Sequence, residues 1–193
     1  MQKDSILNII LVGVGLCIVC GAVISTVAVS LKDQQEQNVI FDQQSKIIDA
    51  ARLLEVYPSS QEALASIEEV VVNLNDGQPS GFPPEQYDLD SILRDSSQHT
   101  VLNGSDDIAM ISVRENLSKV YIEYRNNELK TLILPVRGYG LWGTLYGYLA
   151  LDSDLNTIVG LEFYKHKETP GLGAEVDNPN WKKLWNGKKV FDE

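Results

Sequence analysis

Cysteine is nearly absent from this chain of 193 residues, which contains only Cys17 and Cys20, both in an apolar run near the N-terminus. The rest of the sequence therefore has no disulfide framework, and cysteine usage gives no indication of its redox compartment. A C-x-x-C pair can bind a metal, but no second pair, histidine or acidic residue lies close to this one in sequence. We interpret both residues as small apolar side chains.

Positive charge is also scarce, because 16 Lys and Arg residues stand against 27 Asp and Glu residues, for a net charge of −11 and a pI of about 4.6. An acidic surface repels phosphate backbones, so we predict no nucleic-acid partner. Histidine occurs twice, as His99 and His166, far from each other and from cysteine. This spacing indicates no zinc site, and we predict no metal and no catalytic side chain.

Charge is missing altogether between residues 6 and 31. A helix of that length spans about 39 Å, more than the roughly 30 Å of a bilayer's hydrocarbon core. We therefore predict a transmembrane anchor over residues 1–33 that enters the membrane through helix 6–31. A cleaved signal peptide is the alternative, but its apolar core is usually about 7–15 residues long, and residues 25–30 offer a poor cleavage site.

Residues 34–55 are predicted to form a helical stalk that continues the anchor and then packs on a domain formed by residues 56–193. The sequence Ser59–Glu62 fits a capping box, so a short helix should follow it and run to about Glu69. Val70–Leu74 has the character of a strand. The apolar residues that recur at helical spacing in the stalk are Ile40, Phe41, Ile47, Ile48 and Ala51.

Two hairpins are predicted in the second half of the domain. Val120–Tyr124 and Leu129–Val136 flank an Arg-Asn-Asn-Glu turn, and Leu145–Leu151 and Ile158–Tyr164 flank a turn at residues 152–157. Connections this short cannot be parallel crossovers, so the sheet should be antiparallel. The predicted fold class is α+β, with an N-terminal single transmembrane helix and an antiparallel-sheet domain flanked by helices.

A last helix is predicted near the C-terminus, because Asn178 suits the N-cap position and Pro179 the first helical position. Residues 87–110 are polar and ambiguous, and the sequence assigns them no role. The residues predicted to form the buried face of the last helix are Trp181, Leu184 and Trp185.

Two motifs suggest ligands without meeting their requirements. Gly138–Gly143 matches G-x-G-x-x-G, but a dinucleotide site needs a helix next, and residues 144–151 have strand character. Residues 152–156 resemble the start of a calcium loop. Thr157 stands where that loop needs glycine, and Phe163 where it needs an acid. We predict two turns with no bound dinucleotide or calcium.

The segment Glu168–Gly173 reads Glu-Thr-Pro-Gly-Leu-Gly. Pro170 fixes its own φ, and the glycines that flank Leu172 leave backbone amides open to close approach by a ligand. An ordinary surface turn is the alternative, since Pro and Gly occur in turns generally.

This segment, with Gly140–Trp142 upstream and Asp177–Trp181 downstream, resembles the NqrC family, the FMN-carrying subunits of the sodium-translocating NADH:quinone oxidoreductases. The resemblance implies an FMN-binding domain in which Trp142 packs beside the isoalloxazine and Glu168 accepts hydrogen bonds from main chain or ring nitrogen. The alternatives are that Trp142 is core and that Glu168 pairs with a neighbouring surface lysine. The implied FMN-binding residues are Gly140, Leu141, Trp142, Glu168, Thr169, Gly171, Leu172 and Gly173.

The resemblance also implies a function, which is single-electron relay by FMN within a Na⁺-pumping NADH:ubiquinone reductase complex. The implied partners are its subunits A, B, D, E and F. The implied location is the bacterial inner membrane, crossed once, with the soluble domain on the periplasmic side. Two alternatives are the G subunit of the related Rnf-type electron-transport complex, which shares the Glu-Thr-Pro-Gly-Leu-Gly element, and a non-enzymatic single-pass membrane protein with an acidic binding ectodomain.

Members of that family attach FMN covalently to a threonine in a Ser-Gly-Ala-Thr-like motif, downstream of the region that matches Lys188–Glu193. This sequence contains no such motif, and Thr169 belongs to a different one. We expect the sequence to be a fragment of a longer subunit that by itself binds FMN weakly and never covalently. A genuine short form is the alternative.

Overall fold

The computed structural model describes residues 6–191, which belong to two compact units, Met1–Asp42 and Gln43–Glu193. The first unit contains most of helix α1 (Ile6–Ala50). Within the described residues, α1 is the one helix that is long and apolar enough to cross a bilayer by length and composition. The predicted division at residues 33 and 55 stays a prediction.

Helix α1 runs without a break from the apolar segment into the predicted stalk. Ile47 and Ile48, near its C-terminal end, are buried, whereas Ile40 and Phe41 are exposed. The last turns of α1 therefore contribute to the core of the second unit. The helix ends before Arg52, which has φ +54° in the left-handed region that commonly terminates helices.

The second unit contains a five-stranded antiparallel sheet in the order β1-β4-β5-β6-β7 and a separate pair, β2-β3. The predicted antiparallel α+β fold is confirmed. The strands are β1 (Ile67–Asn73), β2 (His99–Val101), β3 (Val113–Glu115), β4 (Leu117–Arg125), β5 (Glu128–Tyr139), β6 (Thr144–Asp152) and β7 (Ile158–Lys165). The remaining helices are α2 (Ser60–Ala65), α3 (Leu89–Arg94) and α4 (Pro179–Lys183).

The Ser59 half of the predicted capping box at α2 is confirmed, since the Ser59 hydroxyl oxygen accepts a hydrogen bond from the Glu62 backbone N–H at 3.2 Å. The Glu62 carboxylate reaches back to the Ser59 hydroxyl, from which it accepts at 3.2 Å. Helix α2 nevertheless ends at Ala65, earlier than expected. Strand β1 starts at Ile67 because its residues pair with β4 along the whole strand, from Ile67 opposite Glu123 onward. Tertiary pairing thus overrides the helical propensity of this segment.

The predicted cap of α4 is also confirmed, since the Asn178 side-chain oxygen accepts from the Asn180 backbone N–H at 2.9 Å. The predicted buried face is only partly correct. Trp181 is half-buried, with its ring centroid 6.5 Å from that of Phe163 on β7, but Leu184 is exposed. Helix α4 is too short to bury a full stripe.

Packing of α1 on the sheet requires a glycine in β7. A Cβ atom added to Gly160 would collide with the backbone carbonyl oxygen of Ala50, in the last turn of α1. The side chains that surround this contact form the core, with Ala50 and Ile133 fully buried. The close approach of the two backbones fixes the end of α1 against the strand that leads into the candidate site.

Candidate functional site

Sheet topology brings the two glycine-containing motifs to the same end of the domain. Residues 140–143 connect β5 to β6, and the Glu168–Gly173 segment follows β7. Strands β6 and β7 are antiparallel neighbours, with Tyr146 opposite Lys165. The start of β6 therefore lies beside the end of β7, so the two loops meet although they are distant in sequence.

Glu168 makes the contact between the two loops. Its side chain is buried, at 9% exposure, and its Oε1 accepts a hydrogen bond from the Trp142 backbone N–H at 3.0 Å. The main-chain contact expected for this carboxylate is present, while its role toward a flavin stays a prediction. Hydrogen bonds to ionised carboxylates are among the stronger ones in proteins.

Glycine is required on both sides of this carboxylate. A Cβ atom at Gly140 would collide with Glu168 Oε1 and with the Leu145 side chain. A Cβ atom at Gly173 would collide with Glu168 Oε2 and lie 3.0 Å from the Glu168 Cβ. The carboxylate therefore lies directly against both glycine backbones, and a larger residue at either position would displace it.

The alternative of a surface ion pair for Glu168 is wrong within the described residues, where neither neighbouring lysine bonds to it. The Lys165 ammonium lies over the ring of Tyr146, 5.2 Å from its centroid. The Lys167 side chain passes beside Gly143, whose added Cβ would meet its Cδ at 3.4 Å. Glu168 instead faces inward, toward the turn between β5 and β6.

The loop after Glu168 is held by its own backbone. The carbonyl oxygen of Thr169 accepts from the amides of both Leu172 and Ala174 at 3.1 Å. Gly171 has φ +74°, a conformation that glycine adopts without strain. A 3₁₀ turn, Gly173–Asp177, follows. This tight bend leaves the Leu172 side chain exposed.

Three large apolar side chains project into solvent from the two loops. Leu141 is 78% exposed, Trp142 63% and Leu172 72%. The alternative that Trp142 is a core residue is therefore wrong. Single exposed apolar residues are ordinary, but several on adjoining loops are typical of a surface that contacts a ligand or partner.

His166 and Asp177 belong to the same site, although the sequence did not indicate it. His166 Nδ1 accepts a hydrogen bond from the Glu168 backbone N–H at 3.2 Å. His166 Nε2 lies 2.7 Å from Asp177 Oδ2. The sequence offered one signal for this contact. His166 precedes the acid by two residues, a spacing at which a side chain can accept a hydrogen bond from a backbone N–H.

Residues 87–110 also reach the end of β5, next to the first loop. The carbonyl oxygen of Ala109 accepts from the Tyr139 backbone N–H at 2.8 Å, at the end of β5. Ile108 beside it is 92% exposed. The residue before the first loop, Tyr139, is therefore tied to this segment by a backbone hydrogen bond.

Helix α4 is fixed to the sheet by a shared carboxylate. Glu162 Oε2 on β7 accepts from the Lys182 ammonium at 2.6 Å and from the Lys46 ammonium at 3.3 Å. Both lysines and the glutamate are mostly buried. Helix α4, which follows the site loop, is thereby anchored to β7, the strand that precedes Glu168.

Residues 6–191 contain no group of three or more His, Cys, Asp or Glu side chains suited to holding a metal ion. The calcium-like sequence forms a hairpin turn, as predicted. Asp154 Oδ1 accepts from the backbone amides of Asn156 and Thr157 at 2.9 and 2.7 Å. A hydrogen bond from the Thr157 hydroxyl contributes most to lowering the pKa of Asp154 to about 2.

Comparison with known protein families identifies the class of this site. The family described as FMN-binding domain matches residues 140–193. The match begins at the first loop and includes every residue assigned to the site from sequence. The exposed apolar loops and the glycine-lined carboxylate are therefore part of an FMN-binding domain.

Curated relatives identify the particular family. The C subunit of the Na⁺-translocating NADH-quinone reductase of Pseudomonas aeruginosa is 43% identical over 99% of this chain and 75% of the relative. The C subunit from Vibrio vulnificus is 39% identical, over all of this chain and 76% of the relative. This chain belongs to the NqrC family, the C subunits of the Na⁺-translocating NADH-quinone reductases.

Solved structures agree with this assignment. The crystal structure of Shewanella oneidensis NqrC superimposes with a TM-score of 0.69 at 31% identity, over 78% of this chain and 70% of that one. The C subunit from Parabacteroides distasonis gives a TM-score of 0.60 at 30% identity, over 83% and 71%. The family resemblance and the fold class are confirmed, in preference to the Rnf-type and non-enzymatic alternatives.

Proposed function

We propose that this chain is the flavoprotein electron-relay subunit of a Na⁺-translocating NADH:ubiquinone reductase complex, and that its two loops, residues 140–142 and 168–173, hold FMN. One observation carries the proposal: the buried Glu168 carboxylate joins these loops and leaves apolar side chains of both exposed. The subunit names of the relatives and the FMN-binding domain match support it.

The residues present fit an isoalloxazine ring. The ring is planar and largely apolar, so it is suited to offset contact with Trp142 and to packing against Leu172. Both side chains are exposed, and covering them with the ring would remove apolar surface from water. The backbone at Gly171, where an added Cβ would meet no heavy atom within 4 Å, permits a planar group to approach closely.

FMN, when bound, supplies the one-electron chemistry, so the protein needs no acid, base or nucleophile of its own. The contribution of this chain is binding and orientation. Glu168 fixes the backbone of Trp142 relative to Gly173, and its negative charge lies within the loop pair. A fixed carboxylate beside the site disfavours electron-rich states of a bound group and thereby influences its reduction potential.

The proposal also covers how FMN is attached, which subunits the chain assembles with and where the chain is located. The FMN phosphate would be esterified to a threonine of a Ser-Gly-Ala-Thr-like motif that is absent from these 193 residues. The chain would assemble with subunits A, B, D, E and F. Its apolar helix would cross the bacterial inner membrane once, with the domain on the periplasmic side. The apolar helix supports membrane association.

Replacing Leu172 by alanine tests the apolar half of the site. We expect the Kd for FMN to rise about fivefold, because roughly 1 kcal/mol of apolar contact is lost. The measurement is a flavin fluorescence titration of the full chain in detergent, carried to FMN concentrations well above the Kd. Leu184→Ala is the matched control, since Leu184 is a similarly exposed leucine outside the two loops. Equal Kd values for the two variants would contradict the proposed site.

A further inference from the structure

We infer that His166 is a positioning residue for the FMN site, in its neutral form with the proton on Nε2, and that it fixes the buried Glu168 through the Glu168 backbone. The effect on flavin binding rests on the proposed function. The state of the imidazole ring does not, because it follows from contacts within this chain.

Two contacts determine the state of the ring. The Glu168 backbone N–H donates to Nδ1 at 3.2 Å, so Nδ1 must carry a lone pair. Nε2 lies 2.7 Å from a carboxylate oxygen of Asp177, so Nε2 must carry the proton. An imidazolium would place a second N–H against the Glu168 N–H, and the other neutral tautomer would leave two lone pairs facing each other at Asp177. One tautomer satisfies both contacts.

These contacts form a continuous chain of hydrogen bonds into the site. Asp177 orients His166, His166 holds the backbone of Glu168, and the Glu168 side chain holds the backbone of Trp142. The His166 side chain is 17% exposed, so solvent has little access to replace it. Asp177, at the end of the 3₁₀ turn that follows the second loop, therefore helps to position the first loop.

The proposal distinguishes His166 from a residue that only fills space. An asparagine side-chain oxygen reaches the position of Nδ1, so His166→Asn keeps an acceptor for the Glu168 amide. His166→Ala removes the acceptor and leaves a mostly buried N–H without a partner, which costs more than the hydrogen bond itself. If His166 only filled space, the two variants should lose similar amounts of FMN affinity, since both remove most of the imidazole ring.

The ring state is measured by NMR on the full chain in detergent at pH 7.5, without FMN and with only histidine labelled. The chain has two histidines, so the signals missing from His166→Asn belong to His166. We expect a protonated Nε2 and an unprotonated Nδ1. A protonated Nδ1, in either the neutral or the cationic ring, would overturn the inference.

The positioning role is measured in the same preparations by labelling tryptophan and following the backbone amide of Trp142. We expect that amide signal to move in His166→Ala and to stay near its wild-type position in His166→Asn. The Kd for FMN should rise about three- to tenfold in His166→Ala, as for the loss of one hydrogen bond, and less than twofold in His166→Asn.

The outcomes separate the inference from the proposed function. Equal Trp142 shifts in both variants, or an unchanged Kd in His166→Ala, would overturn the positioning role. If the wild-type chain shows the expected tautomer and the expected Trp142 shifts but no FMN binding at any concentration, the proposed function fails, and with it the assignment of His166 to a flavin site.

Discussion

Replacing Glu168 by alanine is expected to raise the Kd for FMN by about 10- to 100-fold. The substitution removes the acceptor of the Trp142 backbone N–H and the side chain that lies between Gly140 and Gly173. A hydrogen bond to a charged group contributes about 1.5–3 kcal/mol, and without it the two loops are no longer held together. Flavin fluorescence titration of the full chain in detergent measures the change.

Two further variants calibrate this result. Glu168→Gln keeps the shape of the side chain and a neutral acceptor, so its Kd should lie between those of the wild type and Glu168→Ala. Glu175→Ala removes an exposed carboxylate that accepts a local hydrogen bond from the side chain of Asn178, and should leave the Kd within about twofold. If Glu168→Ala binds FMN as tightly as Glu175→Ala, the carboxylate does not organise the site.

Replacing Gly173 by alanine is expected to raise the Kd for FMN at least tenfold. The added Cβ would collide with the Glu168 carboxylate and lie 3.0 Å from the Glu168 Cβ, so rotation of the carboxylate alone cannot relieve the contact. The side chain must then leave its position beside Trp142. Overpacking of this kind typically costs about 1–3 kcal/mol. The same fluorescence titration measures the change.

Gly187→Ala is the matched control for this variant. Gly187 lies outside the two loops, and a Cβ atom there would meet no heavy atom within 4 Å, so its cost comes only from φ +76°, about 1 kcal/mol of backbone strain. In the double variant Glu168→Ala/Gly173→Ala the collision with the carboxylate is gone and the 3.0 Å contact with the Cβ of residue 168 remains, so the loss in the double variant should be well below the sum of the two single losses. Additive losses would show that Gly173 and Glu168 act independently.

The hairpins were predictable from sequence because their turn chemistry is local. Asn126 and Asn127 have φ values of +54° and +61° between β4 and β5, a conformation that asparagine tolerates better than most residues. The cap at Asn178 was equally local. The motif Glu168–Gly173 could be recognised because its proline and glycines are the residue types that a tight bend of the backbone requires.

The joining of the two loops could not be predicted from the residues of either one. It depends on the pairing of β6 with β7, which contains register shifts between Tyr146 and Gly147 and between Ala150 and Leu151. A shift of one residue reverses the side-chain direction. The contact between Glu168 and Trp142 therefore followed only from the assembled sheet.

Tryptophan NMR tests most directly whether FMN lies against the two loops. The chain has three tryptophans, of which Trp142 lies in the first loop and Trp181 and Trp185 lie in or after α4. On addition of FMN, both the indole and the backbone amide signals of Trp142 should shift and saturate with the Kd found by fluorescence. Saturable FMN binding that leaves the Trp142 signals in place would contradict the account.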